Sequence, residues 1–301
     1  MTMRIEGVFA PVATPFADDG SINWEMYSRN LKKFAATSLA GIVSLGSNGE
    51  YVMLSFEEKL ELIKATRKEL PKDKVLLAGT GCESLYDTIC LTNSAAEAGA
   101  DVALIINPSY YKSDLTEPVL QKYFEGVADK SSIPVMLYNM PRNTGINLSS
   151  NLIIKLSSHP NIKGLKDSSG NIVQISEIIA AVPESFSVFA GSGSFLFTTT
   201  ILGGKGGTLA VANVAPDYCA EMYQVSKFGD IEKGRKMQLD ILALNNAVTA
   251  GFGIGGMKAA MDIAGFYGGL PRLPLQPATD EVKDKIYKMM DKLQLVGKYK
   301  D

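Results

Sequence analysis

Eight short apolar segments alternate with amphipathic helical patterns along the chain, and this alternation constrains the fold more than any other feature. Each segment is a near-continuous apolar run, as in strands that are buried on both faces of a parallel sheet. The segments span residues 8–13, 41–46, 75–80, 102–107, 134–139, 162–167, 187–192 and 206–213. Eight such repeats favour an α/β fold, a (β/α)8 TIM barrel, over an open doubly wound sheet.

Residues 55–70 illustrate the helical patterns between these segments. Ser55 is a typical N-cap residue, and Glu58 follows three positions later, as in a capping box. The spacing predicts one inward apolar face, formed by Leu60, Ile63 and Leu70.

The sequence after residue 226 contains helical patterns with no apolar strand segments between them. Residues 265–277 are rich in glycine and proline, which predicts a loop before the last helix. We therefore interpret residues 1–226 as a barrel domain and residues 227–301 as a C-terminal helical extension.

The composition is typical of a globular protein and argues against several classes of partner. Of the 301 residues, 46% are hydrophobic, and the formal net charge is −2 with both signs mixed along the chain. No basic field points to nucleic acid or to a membrane surface, and no apolar run reaches membrane-spanning length. The first residues carry no signal-peptide pattern, and the three cysteines have no Cys-x-x-Cys spacing. We therefore expect reduced thiols and a cytoplasmic location.

The single histidine of the chain limits the possible mechanisms. His159 precedes Pro160, so we expect it in a connecting loop rather than at a strand end. Acid–base catalysis by histidine and metal sites built from several histidines are therefore nearly excluded.

Lys166 stands at the end of the sixth apolar segment, just before a polar turn. Catalytic residues of TIM barrels lie at the carboxyl ends of the strands. A lysine in a low-dielectric pocket has its ammonium form disfavoured, and the free amine can form a Schiff base with a carbonyl carbon. The protonated imine accepts electrons from a neighbouring C–C bond, so aldol cleavage needs no metal. The alternative is a lysine paired with a carboxylate such as that of Asp167.

Schiff-base chemistry also needs a group that relays protons. Tyr138 ends the neighbouring fifth segment, and its phenol could serve if another hydroxyl and a second phenol tune it. Ser47 could supply the hydroxyl, and Tyr110 or Tyr111 the phenol. Tyr138 could instead be a core aromatic residue whose hydroxyl is satisfied.

The segment Gly46–Glu50 offers backbone N–H groups before a helix, where the carboxylate of a 2-oxo acid would fit. Other glycine-rich segments lack the spacing of a phosphate-binding loop. We therefore expect a small-molecule substrate and no nucleotide, metal or other cofactor.

Four segments together carry a family resemblance: "GSNGE" at 46–50, "YNMPRNTG" at 138–145, "GLKDSSG" at 164–170 and the glycine-rich stretch 203–214. In this order and spacing they resemble the dihydrodipicolinate synthase/N-acetylneuraminate lyase family of class I aldolases. The resemblance implies a TIM barrel with a helical C-terminal extension. It also implies a homotetramer, arranged as a dimer of dimers, and pyruvate-type substrates bound through a lysine Schiff base.

Carried over position by position, the resemblance implies specific roles. Lys166 matches the Schiff-base lysine, Tyr138 the catalytic tyrosine and Ser47 the hydroxyl of the proton relay. Tyr111 matches a tyrosine that reaches into a neighbouring subunit's site. The match also implies substrate-binding positions: Ser47 and Asn48 for the keto-acid carboxylate, and Gly191 and Thr208 for backbone contacts. We assign Ser168 and Asn143 to the distal carboxylate.

Differences within the family bear on the substrate. The synthase branch has an arginine directly before Thr-Gly, where this chain has Asn143, with Arg142 one residue earlier. Several segments are most similar to the 4-hydroxy-2-oxoglutarate aldolase branch, which implies cleavage to pyruvate and glyoxylate, with oxaloacetate decarboxylation as a side reaction. The alternatives are the synthase reaction with aspartate semialdehyde, a sugar-acid aldolase or dehydratase, and a barrel that binds pyruvate without catalysis.

Overall fold

Eight parallel strands close into a barrel in a computed structural model that describes residues 5–300. Every strand pairs with its neighbours in chain order, and β8 returns to β1. The strands are β1 (Gly7–Pro11), β2 (Gly41–Ser44), β3 (Val75–Gly79), β4 (Val102–Ile106), β5 (Val135–Asn139), β6 (Ile162–Asp167), β7 (Ser187–Ala190) and β8 (Gly206–Thr208). This closed ring confirms the predicted (β/α)8 TIM barrel.

Helices follow each strand around the outside of the ring. They are α1 (Trp24–Ala35), α2 (Phe56–Glu69), α3 (Leu85–Glu97), α4 (Glu117–Lys130), α5 (Pro141–Thr144), α6 (Ser150–Leu156), α7 (Ile172–Ala181), α8 (Leu196–Ile201) and α9 (Pro216–Lys227). The C-terminal helices are α10 (Ile231–Asn246), α11 (Gly253–Ala264) and α12 (Asp280–Lys292), with a π-helical segment at Ala247–Gly251 between the first two. No helix within residues 5–300 is long and apolar enough to cross a membrane.

Side chains that point into the barrel form a packed interior below the candidate site. The rings of Phe9 and Phe189 lie 5.5 Å apart, and both residues are fully buried. Lys166 is in register with both Tyr138 on β5 and Phe189 on β7. Because side chains alternate between the two faces of a strand, all three point into the barrel.

The C-terminal helices share a hydrophobic core with the barrel. Ile241 and Leu244 of α10 and Met257 of α11 are buried in the same cluster as Val8 and Val211 of the barrel. A division at residue 226 remains an interpretation, and its outer limits at residues 1 and 301 lie outside the described part of the chain.

Some predictions about single helices and strands are confirmed, and others are wrong. The capping box of Ser55 and Glu58 is confirmed, with both reciprocal hydrogen bonds formed. Leu60 is only half-buried, and Leu62 takes its place on the inner face of α2. The predicted segment 206–213 is wrong in its second half, because the strand ends at Thr208 and a 3-10 turn follows at Ala210–Asn213.

Candidate active site

A cavity of about 770 Å³ opens at the carboxyl ends of the strands. Its lining brings together most of the residues that the sequence predicted for the site: Lys166, Tyr138, Ser47, Asn48, Asn143, Ser168, Gly191 and Thr208. A cavity of this size can enclose a small organic acid together with an aldehyde partner.

Lys166 and Tyr138 form the buried centre of this cavity. Both residues are buried, with 3% and 5% of their surface exposed. Lys166 Nζ lies 3.9 Å from the centroid of the Tyr138 ring, so the two side chains are in direct contact. Within residues 5–300, no carboxylate lies at ion-pair distance from Lys166.

Asp167, the alternative partner of Lys166, points to the opposite face of β6. Its Oδ2 accepts a hydrogen bond from Asn139 Nδ2 at 2.7 Å, and its Oδ1 accepts one from the backbone N–H of Ser169 at 2.8 Å. The Asp167 carboxylate is therefore bound outside the barrel interior, and the alternative Lys166–Asp167 ion pair does not form.

The pKa of Tyr138 is lowered from its ordinary value of 10.0. Burial acts in the opposite direction, but the positive charge of Lys166 and hydrogen bonds from Ser47, Lys166 and Ser168 outweigh it. A phenol with a lowered pKa releases and accepts a proton closer to neutral pH. The lowered pKa is what the predicted acid–base role of Tyr138 requires.

Ser47 and Asn48 begin a 3-10 turn, Ser47–Gly49, directly after β2. The first N–H groups of such a turn have no partner within it, and no side chain caps this one. The Asn48 side chain is held by a hydrogen bond that its Nδ2 donates to Met257 Sδ at 3.0 Å. Since β2 and β6 lie four strands apart around the ring, this turn and Lys166 lie on opposite sides of the cavity that both line.

Gly191 allows two strand ends to approach closely at the cavity wall. A Cβ atom at this position would lie 1.9 Å from Ser168 Oγ and 2.6 Å from the Asp167 carbonyl oxygen. Thr208 closes the wall on the other side and is 1% exposed. Its hydroxyl has no hydrogen-bond partner within residues 5–300.

Arg142 lines the cavity together with Asn143. In this chain the arginine lies one residue earlier than in the synthase branch, which predicts that it turns away from the substrate. In the short helix α5 both side chains lie at the mouth, so the displacement does not remove the arginine from the cavity. Arg142 therefore has to be counted among the candidate substrate contacts.

Tyr110 and Tyr111 do not line the cavity that holds Lys166. They are 78% and 69% exposed, and their rings pack edge to face with centroids 5.0 Å apart. The Glu83 carboxylate fixes their loop by accepting hydrogen bonds from the N–H groups of Ser109 and Tyr110. Within one chain, Tyr111 therefore does not tune Tyr138.

Tyr51 is a residue that the sequence reasoning missed. It lines a second cavity of about 410 Å³, which shares Ser47 and Asn143 with the first. Burial raises the pKa of Tyr51 to about 12, with a further contribution from the nearby phenol of Tyr138. Its place directly after the "GSNGE" segment was the signal that could have found it.

The C-terminal extension also contributes to the first cavity. Asn245, Asn246 and Thr249 line it from the end of α10 and the π-helical segment. Asn245 Nδ2 donates to Ser192 Oγ at 3.0 Å and to Ser194 Oγ at 2.7 Å, which orders the loop after β7. Such π-helical segments occur often at functional sites, but the sequence carries no clear mark of this one.

His159 lies in the connection before β6, as predicted, and its Nε2 is 3.1 Å from Asp129 Oδ1. The three cysteines are free thiols. Neither feature belongs to the cavity that holds Lys166.

Comparisons with known proteins agree with this geometry. The model of the dihydrodipicolinate synthetase family matches residues 4–293. A 4-hydroxy-tetrahydrodipicolinate synthase of Archaeoglobus fulgidus is 34% identical, over 97% of this chain and 99% of that protein. A probable mitochondrial 4-hydroxy-2-oxoglutarate aldolase of Emericella nidulans is 36% identical, over 92% of this chain and 91% of that protein.

A solved structure has the same fold over nearly the whole chain. The dihydrodipicolinate synthase of Acinetobacter baumannii, crystallised with pyruvate, superposes with a TM-score of 0.92. The two sequences are 28% identical, and the match covers 97% of this chain and all of that one.

Proposed function

The chain belongs to the dihydrodipicolinate synthetase family, and from this premise we propose that it is a class I aldolase that forms a Schiff base between Lys166 and a pyruvate-type 2-oxo acid. One observation carries the proposal. Lys166 is buried at the cavity floor with no carboxylate partner within residues 5–300, beside a tyrosine whose pKa is lowered. That combination supports an amine nucleophile with its own proton relay.

The proposed reaction places the nucleophile and the proton relay on Lys166 and Tyr138. The Lys166 amine attacks C2 of the substrate, and loss of water gives a protonated imine. Tyr138 then takes the proton from the C4 hydroxyl as the C3–C4 bond breaks, and the bonding electrons move into the imine. The aldehyde departs, the remaining enamine is protonated at C3, and water hydrolyses the imine to release pyruvate and regenerate the Lys166 amine.

The position proposed for the substrate carboxylate follows from the places of β2 and β6 in the ring. A substrate bound at Lys166 on β6 extends its C1 carboxylate toward the N–H groups of Ser47 and Asn48 after β2. The rest of the substrate then points toward the outer wall, where Asn143, Ser168 and Arg142 lie.

For the substrate, we propose 4-hydroxy-2-oxoglutarate, cleaved to pyruvate and glyoxylate, with oxaloacetate decarboxylation as a side reaction. The segments "GSNGE" and "NPSYYK" support this choice, as does the similarity to the Emericella nidulans protein.

The second candidate is condensation of pyruvate with aspartate semialdehyde. It is supported by Arg142, which lines the cavity and could meet a second carboxylate. The similarity to the Archaeoglobus fulgidus synthase supports it to the same degree.

Parallel assays on the purified chain separate these reactions. We would measure pyruvate release from 4-hydroxy-2-oxoglutarate and from sugar-derived 2-oxo acids, and pyruvate consumption with aspartate semialdehyde. Pyruvate release from 4-hydroxy-2-oxoglutarate should dominate. Strong condensation with aspartate semialdehyde and no cleavage of 4-hydroxy-2-oxoglutarate would assign the synthase reaction to this chain. No turnover of any substrate would favour a barrel that binds pyruvate without catalysis.

We further propose a homotetramer, a dimer of dimers, in which Tyr111 serves the site of a neighbouring subunit. Its exposure and the fixed loop that carries it support this role. Mixing Tyr111→Phe subunits with Lys166→Ala subunits tests it, because only mixed assemblies would hold one complete site. If the mixture is no more active than its parts, Tyr111 does not act across subunits. A cytoplasmic location stays a prediction from composition.

A further inference from the structure

The loop that would hold the substrate carboxylate is bracketed by two strained residues. Leu45 and Glu50 have φ angles of 61° and 57°, in the left-handed region that residues with a Cβ atom seldom adopt. Between them lies the segment Gly46–Gly49, with the N–H groups of Ser47 and Asn48. Strained backbone of this kind persists only where the surrounding structure fixes it.

Glu50 is fixed by an ion pair with the C-terminal extension. Nζ of Lys258, on α11, lies 2.7 Å from Glu50 Oε1, and both side chains are almost fully buried. The Lys258 ammonium also donates to the carbonyl oxygens of Thr14 at 2.7 Å and Leu270 at 2.6 Å. The Lys258 ammonium group thus has three oxygen atoms within 2.7 Å.

Two further contacts hold the same end of the loop. Glu50 Oε2 accepts a hydrogen bond from the backbone N–H of Arg272 at 2.9 Å. The Thr14 hydroxyl donates to the carbonyl oxygen of Gly49 at 2.8 Å. Lys258 thus binds one carboxylate oxygen of Glu50 and the backbone of Thr14, and it ties the loop to β1 and to the C-terminal segment together.

We propose that Lys258 and Glu50 are positioning residues, which hold the N–H groups of Ser47 and Asn48 in place for the C1 carboxylate of a 2-oxo acid. The inference rests on the proposed function, because it needs a substrate whose carboxylate binds there. Neither residue contacts the reacting carbon. Their loss should therefore weaken the binding of pyruvate and leave the reactivity of Lys166 intact.

The double variant Glu50→Met/Lys258→Met tests this idea without leaving a buried unpaired charge. Replacing a buried ion pair by apolar residues of similar volume usually preserves the fold. Without the carboxylate contacts, only the Thr14–Gly49 hydrogen bond remains at this end of the loop, so residue 50 should leave the left-handed region and the loop should relax. We expect the pyruvate concentration for half-maximal borohydride trapping to rise about tenfold, with an unchanged maximal adduct.

Glu58→Gln is the matched control. Glu58 pairs with the Arg272 guanidinium and so also ties the C-terminal segment to the barrel, but it contacts no residue of the 46–49 segment. The control should lower the melting temperature and keep the half-maximal pyruvate concentration within twofold of wild type. An equal rise in the control, or no rise in a folded double variant, would overturn the inference.

Glu50→Gln keeps the inference testable if the double variant does not fold. It retains an acceptor for the Arg272 N–H and loses the charge that faces Lys258, so we expect a rise of about threefold. Unchanged half-saturation in this variant would also contradict the positioning role. If wild type gains no pyruvate adduct at all, the proposed function itself fails, and the inference fails with it.

Discussion

Two lysines are buried to nearly the same extent in this barrel, and their surroundings differ completely. Lys166 is 3% exposed and Lys258 is 1% exposed. Lys258 has one carboxylate and two carbonyl oxygens around its ammonium group. Lys166 has a tyrosine beside it, opens onto a cavity, and has no carboxylate at ion-pair distance within residues 5–300.

The difference shows that burial alone does not identify a nucleophilic lysine. A buried ammonium group that is paired with a carboxylate is held as a structural ion, since removing its proton would leave a charged partner alone. For Lys258, burial lowers the pKa and the neighbouring Glu50 opposes that change. An amine with unused hydrogen-bonding capacity beside a cavity is available for chemistry.

The largest effect should come from Tyr138→Phe, which removes the proton relay beside Lys166. We expect kcat to fall by about 10²- to 10⁴-fold, the range for loss of a positioned acid–base group. Tyr27→Phe is the matched control, because its buried phenol bonds to Thr66 Oγ1 at 2.8 Å far from the cavity. Steady-state kinetics on both variants should show a loss only for Tyr138→Phe, and a comparable loss in both would contradict the assignment.

Lys258→Met should mainly affect stability. It leaves the Glu50 carboxylate buried without its ion-pair partner, so we expect the free energy of unfolding to fall by about 3–5 kcal/mol. Lys166→Met removes no carboxylate contact and should change stability far less. Denaturant unfolding measures the free energy of unfolding of both variants. Equal losses would contradict the distinction between a structural ion pair at Lys258 and an unpaired amine at Lys166.

The pH dependence should report the lowered pKa of Tyr138. Because the phenolate accepts the substrate proton, kcat/KM should rise as pH increases through that pKa, below the ordinary value of 10.0. Ser47→Ala removes one of the hydrogen bonds that lower it, so this limb should move to higher pH. A pH–rate profile that is the same in wild type and Ser47→Ala would exclude this tuning.

The smallest effect should come from an exposed lysine. Lys236 forms an ion pair with Asp240 at 2.5 Å on the surface of α10. Lys236→Met should change the free energy of unfolding by no more than about 0.5 kcal/mol, because solvent screens such pairs. A loss as large as that of Lys258→Met would show that burial does not determine how much an ion pair contributes to stability.

The barrel could be predicted from the sequence because eight apolar runs alternate with helical patterns, and each run is recognisable from its own residues alone. It also predicted the lining of the cavity, because strand ends converge at one rim. The same reasoning that singled out Lys166 applies to Lys258, a lysine within the apolar pattern of "GIGGMKAAMDIAG". It was overlooked because the C-terminal helices were treated as an appendage.

Other features depend on contacts between distant parts of the chain and could not be predicted locally. The pairing of Lys258 with Glu50 joins residues more than two hundred positions apart. The hydrogen bond between Asp167 and Asn139 joins side chains on neighbouring strands, and the place of Arg142 in the cavity wall depends on the conformation of α5.

Borohydride trapping with pyruvate, followed by peptide mass mapping, tests the central claim most directly. The wild-type chain should gain one reduced pyruvate adduct per subunit, located on Lys166 and not on Lys258. Lys166→Ala should gain none while remaining folded. An adduct on another lysine, an equal adduct in Lys166→Ala, or no adduct in wild type would contradict the Schiff-base role of Lys166.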